Sequence, residues 1–155
     1  MTIDGKNILY FVWFITTLSL CFFIPKSKIR LALQAFLFSQ ALTWPLGLLV
    51  VDRGLIQYPI LFFENANKTS FTFEYFFYPI VCAYFIVYFP NTKNLAIRAM
   101  YYIIFCSLLT ATELFLLHNT ELIRYIHWYA YWTWISLFVI FYVTRKLCLW
   151  FFKPT

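Results

Sequence analysis

The sequence predicts an all-α integral membrane bundle of five transmembrane helices, with the N-terminus outside and the C-terminus cytoplasmic. Hydrophobic residues make up 63% of the 155 residues and charged residues only 12%, against about 45–50% and 25% in soluble domains. The mean hydropathy is +0.75, and a soluble chain of this length cannot bury so much apolar surface. Five long apolar stretches, separated by polar breaks, complete the prediction.

Each apolar stretch is long enough for a membrane helix, which needs roughly 20 apolar residues. A membrane β-strand is about ten residues long and alternates apolar with polar side chains, and these stretches do not alternate. We therefore predict helices, within a single transmembrane domain that covers residues 1–155. The predicted spans are residues 8–24, 31–51, 71–89, 97–117 and 126–143.

Residues that terminate helices set the limits of the spans in order. The first span ends at Pro25-Lys26, the second at Asp52-Arg53-Gly54 and the third at Pro90-Asn91. The fourth ends at His118-Asn119 and the fifth at Arg145-Lys146. Because no small-residue cleavage site follows the first span, we interpret it as an uncleaved helix and not as a signal peptide.

The longest outer connection, residues 52–70, joins the second and third spans. Its middle, residues 55–63, is apolar but too short to cross a bilayer. We predict that it lies in the membrane interface or dips into the bundle. It is interpreted either as an apolar connector or as a lid over an outward-facing pocket.

The charged residues indicate the orientation. With the N-terminus outside, eight Lys and Arg residues fall on the cytoplasmic side and four on the outer side, as the positive-inside rule requires. All six carboxylates fall toward the outer side. The net charge of +6 therefore reflects topology and contact with anionic inner-leaflet lipid, and we predict no nucleic-acid partner. The inner cations are Lys26, Lys28, Arg30, Lys93, Arg98, Arg145, Lys146 and Lys153.

Two glutamates lie inside predicted spans, where an ionisable group needs a partner or a function. Glu74 is in the first turn of the third span, where the helix dipole stabilises a carboxylate. Glu113 lies about one turn before the end of the fourth span, where the dipole disfavours an anion. We therefore expect Glu113 to be protonated or to have a cationic partner. The candidate partners are Arg124, Arg53 and His127.

Helical periodicity places polar and aromatic side chains on shared faces, which we expect to point inward because lipid favours apolar faces. These faces comprise Gln40, Trp44 and Gly47; Glu74, Tyr78 and Cys82; Tyr102, Cys106, Thr110 and Glu113; and His127, Tyr131, Trp134 and Phe138. Pro79 leaves the Tyr75 carbonyl without its helical donor, so this carbonyl is open to a neighbour or a cavity. The candidate functional cluster comprises Glu113, Glu74, Arg124, His127, Arg53, Tyr78 and Trp44; hydrogen-bonded helix packing is its structural alternative.

Sequence motifs for catalysis or cofactor binding are missing. The chain contains no C-x-x-C, H-E-x-x-H, G-x-S-x-G, Walker or G-x-G-x-x-G pattern. The spacing of Glu113, His118, Glu121 and His127 matches no compact metal motif. We predict no cofactor, no metal site and no catalytic residue.

Five stretches of the sequence carry a family resemblance: Thr43-Trp44-Pro45, Tyr58-Pro59, residues 73–79, Thr112-Glu113 and residues 124–134. They resemble a family of short multi-pass membrane proteins from endospore-forming Gram-positive bacteria that lacks an assigned activity. The resemblance implies a bacterial plasma-membrane location, and no catalytic residue carries over from it.

Three functions remain open, of which we favour the first. A non-enzymatic accessory or scaffold protein predicts a closed, fully paired cluster. A small transporter or ligand-binding protein predicts a hydrated cavity that reaches Glu113, in a homo-oligomer. A membrane enzyme acting on a lipid or an envelope precursor predicts a cleft open to the outer leaflet, with Glu74, Glu113 and His127 as acid/base groups. The expected partners are the lipid bilayer and a second copy of the chain or another membrane protein.

Overall fold

A computed structural model of the chain describes residues 5–63, 65–66 and 68–152. Within these residues the chain is a bundle of five helices, with a short 3₁₀ turn at Lys26–Lys28 before the second. The helical class is therefore confirmed. All of the helices except α3 are long and apolar enough to cross a membrane, so four of the five predicted spans have the length and composition of membrane helices. The helices are α1 (Gly5–Phe23), α2 (Ile29–Asp52), α3 (Phe71–Val87), α4 (Leu95–Asn119) and α5 (Ala130–Phe151).

The predicted limits of the fifth span, residues 126–143, are wrong. The chain before α5 is extended, because strand β2 (Arg124–Tyr125) pairs antiparallel with strand β1 (Ile56–Gln57). The backbone N–H groups of residues 126 and 127 donate to the Leu55 carbonyl at 3.0 and 3.1 Å, which fixes this segment outside the helix. This two-stranded sheet, which the sequence does not predict, ties the long connection to the start of α5.

The end of α5 also differs from the prediction, since the helix continues through Arg145 and Lys146 to Phe151. Arg145 lies within the helix, and its guanidinium Nη2 donates to Asn91 Oδ1 at 2.9 Å. A long basic side chain thus reaches polar groups at the end of the bundle while its stem stays on the helix. The other four predicted spans each overlap an observed helix.

The third helix is central to the bundle and begins irregularly. Residues Phe71–Phe77 form a π-helix and Tyr78–Val87 an α-helix. In the α-helical part, eight of ten residues are buried. Phe85 is fully buried, and its ring lies 4.7 Å from that of Phe141 in α5. Packing in this core therefore relies on interlocking aromatic side chains.

Helix α2 satisfies the backbone groups that Pro79 leaves free. Pro79 has no N–H, which in a π or an α turn would serve the carbonyl of Glu74 or Tyr75. Thr43 Oγ1 donates to the Glu74 carbonyl at 2.6 Å, and Gln40 Nε2 donates to the Tyr75 carbonyl at 2.9 Å. The prediction that the Tyr75 carbonyl meets a neighbour is confirmed, and these bonds fix α3 against α2.

The fold separates charge between the two ends of the bundle. Lys28 Nζ donates to the Val87 carbonyl at 2.8 Å, which joins the α1–α2 turn to the end of α3. We call this the cationic end, and the opposite end the acidic end. The described part of the cationic end carries Lys26, Lys28, Arg30, Lys93, Arg98, Arg145 and Lys146. The acidic end carries all four described carboxylates, Asp52, Glu74, Glu113 and Glu121, together with Lys6, Arg53, Lys68 and Arg124. Lys153, Asp4 and Glu64 lie outside the described residues, and the orientation in a membrane stays a prediction.

Candidate functional site

Glu113 lies at the centre of a hydrogen-bond network at the acidic end. Its side chain is 7% exposed. Tyr78 Oη donates to Oε2 at 2.7 Å, and Thr133 Oγ1 donates to Oε1 at 2.9 Å. The Tyr125 hydroxyl also bonds Oε1. Hydroxyl groups from three different parts of the chain therefore satisfy both oxygens of this carboxylate.

Thr133 extends this network to a tryptophan. Its Oγ1 accepts a hydrogen bond from Trp128 Nε1 at 2.8 Å and lies 3.2 Å from the Tyr125 hydroxyl. Trp128 and Tyr125 lie in the extended segment before α5, whereas Thr133 lies in the first turn of α5. The network thus requires the sheet that replaces the predicted start of the fifth span.

Glu74 is the second carboxylate of the site, and it is less completely bonded. Tyr58 Oη donates to Glu74 Oε1 at 3.0 Å, whereas Oε2 accepts no hydrogen bond from the described residues. Gly47 makes room for this side chain. A Cβ atom at position 47 would lie 2.9 Å from both Cγ and Cδ of Glu74, closer than packed carbon atoms approach each other.

The two carboxylates line the same cavity, which has a volume of about 110 Å³. At about 30 Å³ for each water molecule, it has room for three or four waters. Its polar lining comprises Thr43, Tyr58, Glu74, Tyr78, Glu113, Trp128, Thr133 and Ser136. Two acidic groups, with hydroxyls that hold them in place, therefore face one small space.

Two tyrosines outside the helices keep their protons in this environment. Burial, followed by the negative charges of Glu74 and Glu113, raises the pKa of Tyr58 well above its ordinary value. Burial and the charge of Glu113 likewise raise the pKa of Tyr125. Both phenols therefore act as hydrogen-bond donors to the carboxylates.

The prediction that Glu113 pairs with Arg53, Arg124 or His127 is wrong. Arg53, Arg124 and His127 are all exposed, and none of them lines the cavity. Arg124 lies on strand β2 and His127 in the extended segment that follows it, so neither belongs to a helix that faces the core. Among the described residues, Glu113 has hydroxyl donors in place of the expected ion pair.

The other predicted site residues fall into two groups. Tyr78 bonds Glu113, and Glu74 shares its cavity. Trp44 is half-buried and packs edge-on against the Phe71 and Tyr75 rings at 5.8 and 5.4 Å, so it supports the start of α3 without lining the cavity.

The prediction of inward polar faces is confirmed for α4 and wrong for α5. Tyr102, Cys106, Thr110 and Glu113 are all buried. In the predicted α5 face, His127 precedes the helix, and Tyr131 is 55% exposed. His127 falls outside the helix because α5 begins at Ala130, and the face of α5 that is buried is a different one, which includes Thr133, Leu137 and Ile140.

Sequence reasoning missed Tyr58, Tyr125, Thr133 and Trp128. Tyr58 and Tyr125 are close in space because β1 and β2 pair, and a two-residue strand has no periodicity from which to predict it. Threonine is common in membrane helices, so its presence at position 133 does not indicate that it bonds a carboxylate.

The chemistry open to this site is that of two carboxylates and their hydroxyl donors. No group of three or more His, Cys, Asp or Glu side chains that could hold a metal ion occurs in the described part of the chain. Carboxylate oxygens bind protons and hard cations, for which oxygen ligands are preferred. Comparisons of this chain with protein-family models, curated proteins and solved structures find no match.

Proposed function

We propose that this protein is a multi-pass plasma-membrane protein that binds a small monovalent cation between Glu74 and Glu113, in exchange for a proton. The observation that carries the proposal is the shared cavity, which both carboxylates line without a described cationic side chain. This proposal develops the ligand-binding alternative and replaces the scaffold role as the function that the site supports best.

Both carboxylates are shielded from bulk water to some degree: Glu113 is 7% exposed and Glu74 is half-buried. Two carboxylates that share a poorly hydrated site cannot both stay ionised without a compensating positive charge. The nearby arginines are exposed and do not line the cavity. A proton or a small cation in the cavity therefore supplies the compensating charge.

The hydrogen bonds divide the roles of the two carboxylates. Hydroxyl donors occupy both oxygens of Glu113, which fixes the position of this side chain. Glu74 has one oxygen that accepts no hydrogen bond from the described residues, and its other oxygen has one donor, Tyr58. We assign the exchange of proton and cation to Glu74, while Glu113 lines the same cavity with its oxygens held by hydroxyl donors.

The cavity volume suits a small ion. A space of about 110 Å³ accommodates sodium, potassium or ammonium with one or two waters, at about 30 Å³ for each water. Choline is bulkier than these ions and, as a quaternary ammonium, has no N–H group to donate to a carboxylate. The ligand is therefore distinguished by size as well as by charge.

The predicted orientation places this cavity toward the outer side of the membrane. The charge pattern, with carboxylates at one end and most cations at the other, supports an external N-terminus. The family resemblance supports a bacterial plasma membrane. Because five helices enclose little space, transport of the ion requires a homo-oligomer or another membrane protein as partner.

Infrared difference spectroscopy on the purified full chain in liposomes tests the proposal. Exchange of choline chloride for sodium chloride, at constant ionic strength and pH, is expected to convert a protonated carboxyl band to a carboxylate band. Glu74→Gln is expected to abolish this change. Glu121→Gln is the matched control, because Glu121 is an exposed carboxylate at the same end that does not line the cavity.

Two results would contradict the proposal. One is a spectrum of the wild-type protein that sodium, potassium and ammonium all leave unchanged. The other is a carboxyl signal that persists in Glu74→Gln and disappears in Glu121→Gln, which would assign the response to surface charge.

The scaffold role is the second candidate, and the complete pairing of Glu113 favours it. It predicts that Glu74→Gln leaves ion responses and protein level unchanged, while loss of the Glu113 network lowers protein level. The acid/base enzyme hypothesis has less support, because His127 lies outside the cavity that holds both glutamates.

A further inference from the structure

We propose that the cationic end contains a binding site for the phosphate headgroup of an anionic lipid. The site is a cavity of about 440 Å³ between the start of α2 and the ends of α3 and α5. Lys28, Arg30 and Arg145 line it. This site lies at the opposite end of the bundle from the glutamate cavity, so the inference is independent of the proposed function.

Charge favours an anionic occupant of this cavity. The four described carboxylates all lie at the acidic end, so none of them neutralises these three cations. Arg30 is exposed and forms no hydrogen bond with the described residues. A phosphate group between these cations gains charge-assisted hydrogen bonds that the protein itself does not supply.

The side chains are held in position before any ligand binds. The Arg145 guanidinium lies 4.1 Å from the centre of the Phe89 ring, and its Nη2 donates to Asn91 Oδ1 at 2.9 Å. Arginine has five N–H donors in a fixed plane, so the others remain available to phosphate oxygens. Lys28 is likewise fixed by one bond to the Val87 carbonyl at 2.8 Å, which leaves two of its three donors.

The apolar part of the lining favours a lipid over free phosphate. Leu149 and Phe152 border the cavity beside the cations, and their side chains are 47% and 41% exposed. Both lie at the end of α5, next to the surface that faces lipid tails in a bilayer. A ligand with a charged head and acyl chains matches both kinds of surface at once.

Native mass spectrometry of the full chain in neutral detergent tests this site. Phosphatidylglycerol and phosphatidylcholine are titrated against the wild-type protein, and we expect preferential retention of phosphatidylglycerol. A cation near an anionic lipid surface contributes about fivefold to binding. We therefore expect Arg30→Gln to lose about fivefold in this preference and the triple variant Lys28→Gln/Arg30→Gln/Arg145→Gln about a hundredfold.

The matched control removes three other cations from the same end, as Lys26→Gln/Lys93→Gln/Lys146→Gln, none of which lines this cavity. It is expected to keep most of the preference. If both triple variants lose the preference for phosphatidylglycerol equally, the lipid is attracted by the total charge of this end and the proposed site is wrong. Displacement of phosphatidylglycerol by inorganic phosphate at an equal concentration would overturn the assignment to lipid. Arg30→Gln keeps the test decisive if the triple variant fails to fold, because the Arg30 side chain forms no hydrogen bond with the described residues.

Discussion

The Glu113 network leads to a stability prediction for Thr133→Val. Valine has nearly the shape of threonine, so the change removes the hydroxyl and leaves the packing of α5 in place. Thr133 Oγ1 donates to Glu113 at 2.9 Å and accepts from Trp128 at 2.8 Å. The variant therefore loses a donor to a buried carboxylate and an acceptor for an indole N–H.

The expected magnitude follows from the number of bonds lost. Hydrogen bonds between side chains in membrane proteins contribute about 0.6 kcal/mol on average and up to about 1.7 kcal/mol. Two lost bonds therefore lower the free energy of unfolding by about 1–3 kcal/mol. Thr112→Val is the matched control, because the Thr112 hydroxyl is exposed and bonds the Leu108 carbonyl within its own helix. Surface changes of this kind are expected to stay within about 0.5 kcal/mol.

Unfolding by sodium dodecyl sulfate in mixed micelles, followed by circular dichroism, measures both variants against the wild-type protein. If Thr133→Val unfolds at the same detergent fraction as Thr112→Val, the Thr133 hydroxyl does not stabilise the fold. That result would show that water replaces the Thr133 hydroxyl without loss, and that the network does not fix α5 to α4.

Three further predictions concern the glutamate cavity and the orientation. Gly47→Ala places a Cβ atom 2.9 Å from Glu74. Because overpacking costs about 1–3 kcal/mol, this variant is expected to weaken sodium binding about tenfold. An infrared titration with unchanged affinity would show that Glu74 has room to move. The pKa of Tyr58 is raised in the folded protein. Its contribution to stability is therefore complete below about pH 10, the ordinary tyrosine value, and is lost as the pH rises further. In a pH series of unfolding curves, Tyr58→Phe should lose less of its free energy of unfolding at alkaline pH than the wild-type protein. With the N-terminus outside, a membrane-impermeant thiol reagent added to intact cells should fail to label Lys93→Cys, and labelling from the external medium would reverse the orientation.

Hydropathy and helix terminators predict the helical part of the fold well. Long apolar stretches without alternation favour membrane helices over membrane strands. Each predicted span overlaps an observed helix. The start of the fifth span failed because residues 124–125 pair with residues 56–57. An apolar extended segment and an apolar helix have similar composition, so composition cannot separate them.

The candidate site was partly predictable. Helical periodicity brings Glu113 and Tyr78 to inward faces, and the missing N–H of Pro79 indicates a free carbonyl near Glu74. The identity of the Glu113 partners was not predictable, because Tyr125 and Thr133 reach it through a strand pairing across more than sixty residues. An electrostatic argument favours a cation as the partner of a buried carboxylate, but three hydroxyl donors satisfy the same oxygens.

Proton release on addition of sodium measures the exchange at Glu74 itself. The purified full chain, in weakly buffered detergent with a pH-indicator dye, receives sodium chloride or choline chloride. We expect sodium to release protons from the wild-type protein and from Glu121→Gln, and to release none from Glu74→Gln; choline should release none from any of them. Equal release from the wild-type protein and Glu74→Gln would contradict the assignment of the exchange to Glu74, and no release from the wild-type protein at any pH at which it stays folded would contradict the proposed exchange itself.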